Sequence, residues 1–598
     1  MFIQNKMHFQ KLFKKFLIWR MRHIGRRPFM LIMSVIVGIT AGLGAVIIKN
    51  SVHFIKEMLK NGVTNDFSNY LYFIYPVVGI SLAIIFIKFI LKQPVHHGIP
   101  TVLHSIAKQN GKIKPHNMFS SIITSSLTVG FGGSVGLEGP TVATGASIGA
   151  NIGRLFHLNY KQITLLLGCA STAAMAAIFK APIAGVVFTL EVIMIDLTTY
   201  SLVPLLLASI SGTVVSYLFL GQTTILSPYV INKTFDMANI PYYIALGIIA
   251  GLVSVYFTRM FMFIEGYFKK INNLYKKLLI GALSLGILIF FFPALYGEGY
   301  DAINSCLSGN YDFLFDNSVF SAYSDNFIVL ILILFSIILL KVVATSITFG
   351  SGGVGGIFAP TLFIGSNVGL LFALIVNRIG ITHLSRANFA LIGMGGLIAG
   401  VLHAPLTGIF LIADITKGYQ LFVPLMITAA FSYITIKLFE RNSVYTIQLA
   451  HRKELVTHDK DKAVLSRMKV TSLIETDFSC VQADATLGDL VQIISKSSRN
   501  IFPVLEEDNT MVGIVFVNDI RHIIFKPELY ETTYVRDLMF MPEPSVDPDE
   551  LMESVAEKFQ LSGNFNLPVL KDGKYLGFVS RAKVFSSYRR LLKKISED

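Results

Sequence analysis

GGSVGLEGPT (132–141) and GSGGVGGIFAPT (350–361) are glycine-rich segments that each end in Pro-Thr and lead into apolar sequence. Their prolines, Pro140 and Pro360, lie 220 residues apart. A proline after a glycine-rich turn is typical of a helix start, where free backbone N–H groups lie at the positive end of the helix dipole. Such a terminus binds anions. Two of them at corresponding places in hydrophobic sequence predict broken helices that face one anion near the membrane midplane.

The composition is that of a membrane protein. Of 598 residues, 53% are hydrophobic and 15% are charged, and the mean hydropathy is +0.61. Apolar runs such as 31–48, 242–258 and 279–297 are long enough to cross most of the roughly 30 Å of hydrocarbon in a bilayer. Shorter apolar pieces, such as 141–153 and 181–190, fit half-helices buried in protein. The chain is therefore predicted to cross the lipid bilayer several times.

The N-terminal segment is basic. Residues 1–30 hold eight Lys or Arg and no Asp or Glu, and no small-residue cleavage site follows them. The positive-inside rule places this end in the cytoplasm. The net charge of +14 is thus interpreted as membrane topology, and no nucleic-acid partner is expected. We predict a multi-pass protein of the plasma membrane.

Two sets of repeats divide the chain. APIAG (181–185) is echoed by APLTG (404–408) at an offset of 223, close to the 220 of the proline pair, which predicts two structural halves. After Phe439 the hydrophobicity falls, and FPVL (502–505) and LPVL (567–570) repeat at 65 residues, each followed by a turn and a strand. The predicted parts are a basic segment (1–30), a membrane domain (31–448), a linker (449–464) and two tail modules (465–528 and 529–598).

Four motifs in this order resemble the CLC family of chloride channels and chloride/proton exchangers. They are GLEGP (136–140), GGIFAP (355–360), Gly98-Ile-Pro100 and Tyr445 in SVYT. The tail resembles a tandem pair of CBS modules. The resemblance implies an all-α membrane domain with two inverted repeats and broken helices, plus an α/β CBS domain. It also implies a homodimer in which each subunit holds its own chloride path, with both termini in the cytoplasm.

Glu138 is predicted to be the gate and the proton acceptor. A carboxylate in a membrane interior is costly and indicates a function. At a helix start, the ionised side chain can occupy the anion site itself, and protonation would remove that competition. The alternative is a carboxylate that merely caps the helix.

The resemblance also implies a set of anion-binding residues. Ile357 and Phe358 are expected to offer backbone N–H groups, and Tyr445 a phenol hydroxyl. Gly98, from Gly98-Ile-Pro100, and Gly139, from GLEGP (136–140), are placed in the same set.

His97 departs from the family pattern, which has Ser at this position. An imidazole can donate one N–H to the anion and attracts anions strongly when protonated. Alternatively, the backbone N–H alone serves and His97 points elsewhere. Selectivity for chloride over other anions is therefore left open.

Val192 is the second departure. Family exchangers commonly carry Glu here as an inner proton relay, whereas family channels commonly carry Val. Glu191 is adjacent, but one residue along a helix points about 100° away, so a structural hydrogen-bonding role competes with a proton route through Glu191 or position 192. The primary interpretation is a passive chloride channel gated by Glu138, and chloride/proton antiport is the alternative.

Other classes of function find less support in the residues. A CBS-regulated cation transporter or sensor would need acidic residues in its pore, but this membrane region offers helix N-termini instead. GGSVG (132–136) fits the Gly-x-Ser-x-Gly hydrolase pattern, yet that motif requires a strand of a soluble sheet before it. We therefore do not expect an enzyme.

Cofactors are not required by the pattern. The three cysteines are scattered without paired spacing, so no metal site is expected. CBS modules often hold adenosine with an Asp that follows a Ser or Thr. The first module has Asp519 without the hydroxyl, and the second has Ser580 but Lys583 in place of Asp. An adenine nucleotide at the CBS pair therefore stays an open alternative to a structural tail.

Overall fold

The computed structural model of the chain describes residues 15, 19–20, 22–61, 68–93, 95, 98–109, 111–193, 199–222, 235–308, 311–315, 320, 326–451, 464–465, 468–541 and 544–596. The chain divides into two compact units, Met1–Leu455 and Val456–Asp598. The predicted helical membrane domain and the predicted α/β tail are both confirmed.

The first unit is built from helices. In chain order they are α1 Arg26–Asn61, α2 Ser68–Ile85, α3 Gly98–Lys108, α4 Asn117–Gly130, α5 Glu138–Leu155, α6 Tyr160–Phe179, α7 Pro182–Phe188, α8 Thr199–Leu220, α9 Ile240–Lys270, α10 Leu274–Phe291, α11 Tyr300–Leu307, α12 Phe327–Gly350, α13 Phe358–Ile379, α14 Arg386–Val401, α15 Pro405–Thr416, α16 Phe422–Phe439 and α17 Val444–His451. Among the described residues, nine helices are long and apolar enough to cross a membrane. Helices α3, α7, α14 and α15 are apolar but shorter, as expected for half-helices buried in protein.

Small residues let the helices of this unit approach closely. A Cβ on Gly365 of α13 would lie 2.6 Å from the carbonyl oxygen of Gly393 of α14. A Cβ on Gly145 of α5 would lie 2.6 Å from the carbonyl oxygen of Ala170 of α6. Close backbone approach at small residues is the usual way in which helices associate inside membranes. These contacts hold the two glycine-proline helices, α5 and α13, against their neighbours.

The described residues of the second unit form two small sheets and four α-helices. The strands are β1 Val481–Gln482, β2 Ile501–Leu505, β3 Met511–Phe516, β4 Asn566–Lys571 and β5 Lys574–Ser580, and the helices are α18 Leu487–Lys496, α19 Val517–Ile520, α20 Met552–Ser562 and α21 Arg581–Ser596. Strand β2 pairs parallel with β1 and antiparallel with β3, and β4 pairs antiparallel with β5. The repeated FPVL and LPVL sequences lie in β2 and β4. All five residues of β2 are buried, as are Leu567, Pro568 and Val569 of β4.

Each tail module pairs with a strand of the other module. Glu475 of the first module pairs with Phe578 of β5 in the second. Phe540 of the second module pairs with Ile514 of β3 in the first. This exchange ties the two repeats into one body.

Candidate functional site

The two glycine-rich segments are hydrogen-bonded directly to each other. The N–H of Gly136 donates to the carbonyl oxygen of Gly356 at 2.8 Å, and the N–H of Gly356 donates to that of Gly136 at 2.7 Å. Helices α5 and α13 begin two residues after these glycines. The beginnings of the two broken helices therefore lie side by side.

A threonine before each glycine-rich segment also accepts a hydrogen bond from the backbone of the other segment. The hydroxyl oxygen of Thr128 accepts from the N–H of Val354 at 3.1 Å. The hydroxyl oxygen of Thr348 accepts from the N–H of Ser134 at 3.3 Å. Thr348 lies 220 residues after Thr128, and Val354 lies 220 residues after Ser134. The same contact is therefore made twice, once in each direction between the two segments. A contact of this kind is the mark of a two-fold relation, here between the two halves of one chain.

Glu138 is the first residue of α5 and is 1% exposed. The hydroxyl of Tyr300 donates a hydrogen bond to its Oε1. Its Oε2 has no hydrogen-bond partner of good geometry among the described residues, and the backbone N–H groups of Glu138 and Ala359 face the carboxylate. The carboxylate thus lies where the N-termini of α5 and α13 meet. Helix N-termini stabilise negative charge.

A cavity of about 30 Å³ adjoins this meeting point. Four of the predicted anion-site residues line it together, namely Gly98, Gly139, Ile357 and Tyr445. The ring of Tyr445 is buried, and its hydroxyl has no hydrogen-bond partner among the described residues. A buried donor without a partner is energetically costly. An anion in the cavity would give this hydroxyl the acceptor that it lacks.

The remaining predicted anion-site residues differ in position. Phe358 begins α13 but is not among the cavity-lining residues, and its ring packs 5.4 Å from that of Phe179 and 6.1 Å from that of Phe188. Gly98 begins α3 so close to α5 that a Cβ on it would lie 2.8 Å from the carbonyl carbon of Gly139. His97 lies outside the described residues.

Glu191 binds the beginning of another helix. Its carboxylate accepts from the backbone N–H of Leu406 at 3.1 Å and from the backbone N–H and hydroxyl of Thr407 at 2.8 and 2.7 Å. These donors belong to the first turn of α15. Val192 follows in the same π-helical turn, Thr189–Ile193, which extends α7. Of the two alternatives for Glu191, the geometry is that of a capping carboxylate.

Three polar residues of this region were not found by sequence reasoning. Tyr300 contacts Glu138, and Glu298 lies two residues before it in the Gly297–Gly299 loop. Glu265 of α9 lines the cavity and pairs with Lys269 at 2.8 Å. Glu298 carried one signal, because it is the only acidic residue between Leu274 and Gly299.

The predicted nucleotide residues lie in the tail unit. Asp519 is exposed in the first turn of α19. Ser580 ends β5, and its hydroxyl donates to a carboxylate oxygen of Glu475. Glu475 also binds the guanidinium of Arg499 at 3.0 Å. The hydroxyl of Ser580 is therefore engaged within the protein.

Comparisons with known sequences match both parts of the chain. The family described as "Voltage gated chloride channel" matches residues 79–437, more than half of the chain, and the CBS domain matches 470–526 and 535–590. "Putative chloride channel protein ClcB-like" from Ralstonia nicotianae is 28% identical over 389 residues, 63% of this chain and 85% of that protein. "H(+)/Cl(-) exchange transporter ClcA" from Vibrio cholerae is 27% identical over 446 residues, 71% of this chain and 90% of that protein.

Solved structures share the fold. A slow cyanobacterial Cl-/H+ antiporter superposes with a TM-score of 0.61 at 24% identity, over 72% of this chain and 99% of that one. A eukaryotic CLC transporter gives 0.60 at 18% identity, over 93% of this chain and 97% of that one. The chain therefore belongs to the CLC family, as a multi-pass membrane protein of CLC-type chloride transport whose tail carries two CBS domains.

Proposed function

We propose that this protein is a chloride/proton antiporter in which Glu138 closes the anion path when ionised and opens it when protonated. The observation that carries the proposal is the place of its carboxylate, buried where α5 and α13 begin. N–H groups that stabilise a carboxylate there also stabilise chloride, so the two anions compete for one place. A proton on Glu138 ends the competition, which links proton binding to chloride movement.

Antiport replaces the passive channel as the favoured interpretation. The channel interpretation depended on Val192 alone. The Vibrio cholerae relative and the cyanobacterial structure are named as chloride/proton antiporters, whereas the Ralstonia nicotianae relative is named as a channel. On balance these names support the alternative. Val192 then changes the route of the proton and not the class of transport.

Family exchangers commonly carry a glutamate at position 192, at the inner end of the proton path. This chain has Val192 there and needs another carboxylate. Val192 cannot carry a proton, and Glu191 is held by three donors of α15. Glu265 is the acidic residue among those that line the cavity beside Tyr445. The cavity is bounded by α17, the last helix before the tail. We therefore assign proton exchange on the cytoplasmic side to Glu265.

The assembly and orientation are also part of the proposal. A homodimer in the plasma membrane, with one anion path in each subunit and both termini in the cytoplasm, is supported by the family and by the eight basic residues of the first thirty. Counting subunits by single-molecule photobleaching tests the dimer. A dimer predicts two bleaching steps, and a single step for every particle would contradict it.

The tail is proposed to bind an adenine nucleotide through Asp519. The support is the exposed position of this carboxylate at a helix start. Calorimetry on the full-length protein with ATP, ADP and AMP tests the proposal, with Asp519→Asn as the variant and Asp572→Asn, in the β4–β5 turn, as the control. Heat that Asp519→Asn alone removes supports it. No heat with any of the three at millimolar concentration would leave the tail as a structural module.

Antiport itself is tested with purified protein in liposomes. Vesicles with high internal chloride and low external chloride are clamped with potassium and valinomycin, and chloride and proton concentrations are recorded together. An antiporter takes up protons as chloride leaves, including against a proton gradient. Chloride efflux without proton uptake would establish a passive path and overturn the proposal.

A further inference from the structure

A buried carboxylate, Glu298, lies in the loop that joins α10 to α11. The flanking Gly297 and Gly299 have φ of 61° and 88°, which glycine adopts without strain. This backbone turns the Glu298 side chain into the protein, where it is 11% exposed. We infer that Glu298 is the residue through which Glu138 exchanges protons with water on the membrane side opposite the N-terminus. The inference rests on the gating role proposed for Glu138.

The first step of the argument is the path to water. Oε2 of Glu298 lies 3.8 Å from Nζ of Lys56, whose side chain is 37% exposed. Lys56 is about 45 Å along α1 from Arg26, at 1.5 Å per residue. This distance exceeds the roughly 30 Å of hydrocarbon. The Lys56–Glu298 pair therefore lies at the membrane face opposite the N-terminus, with Lys56 partly in water.

The second step is the path to the gate. The backbone N–H of Leu137, the residue before Glu138, faces the carboxylate of Glu298. Tyr300 follows Glu298 by two residues and donates its hydroxyl to Oε1 of Glu138. The Glu298 carboxylate thus faces the residue before Glu138, and Tyr300, two residues after Glu298, binds Glu138 itself.

The third step is the charge around Glu298. The titratable groups that face it from its own loop and from the packed helices are Lys49, Lys56, Lys341, Asp301, Glu138 and Tyr300. Lys341 is fully buried, and its Nζ donates to the carbonyl oxygens of Gly297 at 2.9 Å and Leu295 at 3.2 Å. Neighbouring carboxylates disfavour each other's ionised form, and nearby cations favour it. A proton gained by one carboxyl group therefore favours ionisation of the other, which suits transfer between them.

The transfer conserves one proton. The phenol O–H of Tyr300 breaks as the O–H of Glu138 Oε1 forms, and the proton of the Glu298 carboxylic acid restores the phenol. Glu298 is left ionised beside Lys56 and takes its next proton from water. The reverse sequence releases a proton from Glu138 to the same side.

A purely structural role makes a different prediction. Glu298 as a hydrogen-bond acceptor for Leu137 would be replaced well by glutamine, whose amide oxygen also accepts. Glutamine cannot carry a transferable proton at these pH values. Glu298→Gln therefore separates the two roles, and Glu57→Gln is the matched control, since Glu57 is the residue after Lys56 and is 60% exposed.

The experiment compares wild type, Glu298→Gln and Glu57→Gln in liposomes. Proton uptake driven by a chloride gradient is recorded, and chloride efflux is measured at equal internal and external pH between about 5 and 8. We expect Glu298→Gln to lower proton uptake at least tenfold and to flatten the rise of chloride efflux towards acid pH. Chloride efflux at neutral pH should stay within twofold of wild type, and Glu57→Gln should match wild type throughout.

The outcomes distinguish the inference from the proposed function. If wild type moves no protons but its acid stimulation is lost in Glu298→Gln, antiport is wrong and the proton exchange between Glu298 and Glu138 stands. A Glu298→Gln protein that matches wild type in both measurements, or that loses chloride flux while it stays folded, overturns the inference. If Glu298→Gln does not fold, Lys56→Gln replaces it, because loss of the cation should move the midpoint of the pH profile upward. An unmoved midpoint overturns the inference as well.

Discussion

Glu191 and Asp414 each bind the beginning of the helix that carries the other. Glu191, in the turn that extends α7, accepts from the first turn of α15. Asp414, near the end of α15, accepts from the backbone N–H groups of Ile183 and Ala184 in α7, both at 3.0 Å. The two acids are 223 residues apart, as are the APIAG and APLTG motifs at the two helix starts. Each half of the membrane unit thus supplies the negative cap of a short helix in the other.

Loss of either cap should lower stability. Glu191→Ala and Asp414→Ala each remove the acceptor of backbone N–H groups that have no intrahelical partner at a helix N-terminus, which costs about 0.5–2 kcal/mol. We expect each to lower the midpoint of thermal unfolding measured by calorimetry in detergent, and Glu191→Gln to lower it less because its amide oxygen still accepts. Glu57→Ala, at an exposed site, is the control. An unchanged midpoint in both alanine variants would contradict the capping role.

Two substitutions test which residue, Glu265 or Glu191, exchanges protons on the cytoplasmic side. Glu265→Gln should keep chloride efflux and reduce coupled proton uptake, since the residue lines the cavity and loses its titratable group. Glu191→Gln should keep both, because its carboxylate is held by α15. Simultaneous chloride and proton recordings in liposomes measure the two rates. The opposite pattern would return the proton route to Glu191.

Substitution of the gate should uncouple transport. Glu138→Gln resembles the protonated side chain, so chloride flux should persist, lose most of its pH dependence and carry no protons. Tyr300 retains a hydrogen-bond acceptor in the amide oxygen of the variant. The measurement is chloride efflux against pH, with gel filtration as the check of folding. A folded variant without chloride flux would show that the gate assignment is wrong.

Removal of the free phenol should weaken anion binding. Tyr445→Phe keeps the ring in the cavity wall but removes the phenol hydroxyl. One hydrogen bond to a charged group is worth about 1.5–3 kcal/mol. Chloride affinity measured by calorimetry should therefore fall by roughly tenfold or more. Tyr243→Phe is the control, because Tyr243 is buried against Phe389 and does not line the cavity. Equal affinities in wild type and Tyr445→Phe would remove this hydroxyl from the anion site.

His97 is tested by its titration. If its side chain lines the anion path, anion flux should depend on pH between about 5 and 7.5, where imidazole changes charge. His97→Ser should flatten that part of the profile and keep transport. The measurement is the flux of chloride and of other small anions across this range. A profile and an anion order that both stay unchanged would place His97 away from the path.

The sequence was informative where a motif and its role are local. The glycine-proline segments predicted two helix starts, and the family resemblance assigned Glu138 and Tyr445 from a few neighbouring residues each. Contacts between residues that are far apart in the sequence were not predicted. Tyr300 lies 162 residues from Glu138, and no spacing rule links a phenol to a carboxylate across two helices. For Glu191 the residues left two alternatives, because its partner, Thr407, is 216 residues away and only the folded backbone brings the two together.

The hydrogen bonds between Gly136 and Gly356 also determine when the anion path can form during synthesis of the chain. A nascent chain that ends before Gly356 has the first helix start but not the backbone groups that complete it. Inside the bilayer those groups have no substitute except each other or water. The anion path therefore comes into being only when the second half has entered the membrane and joined the first.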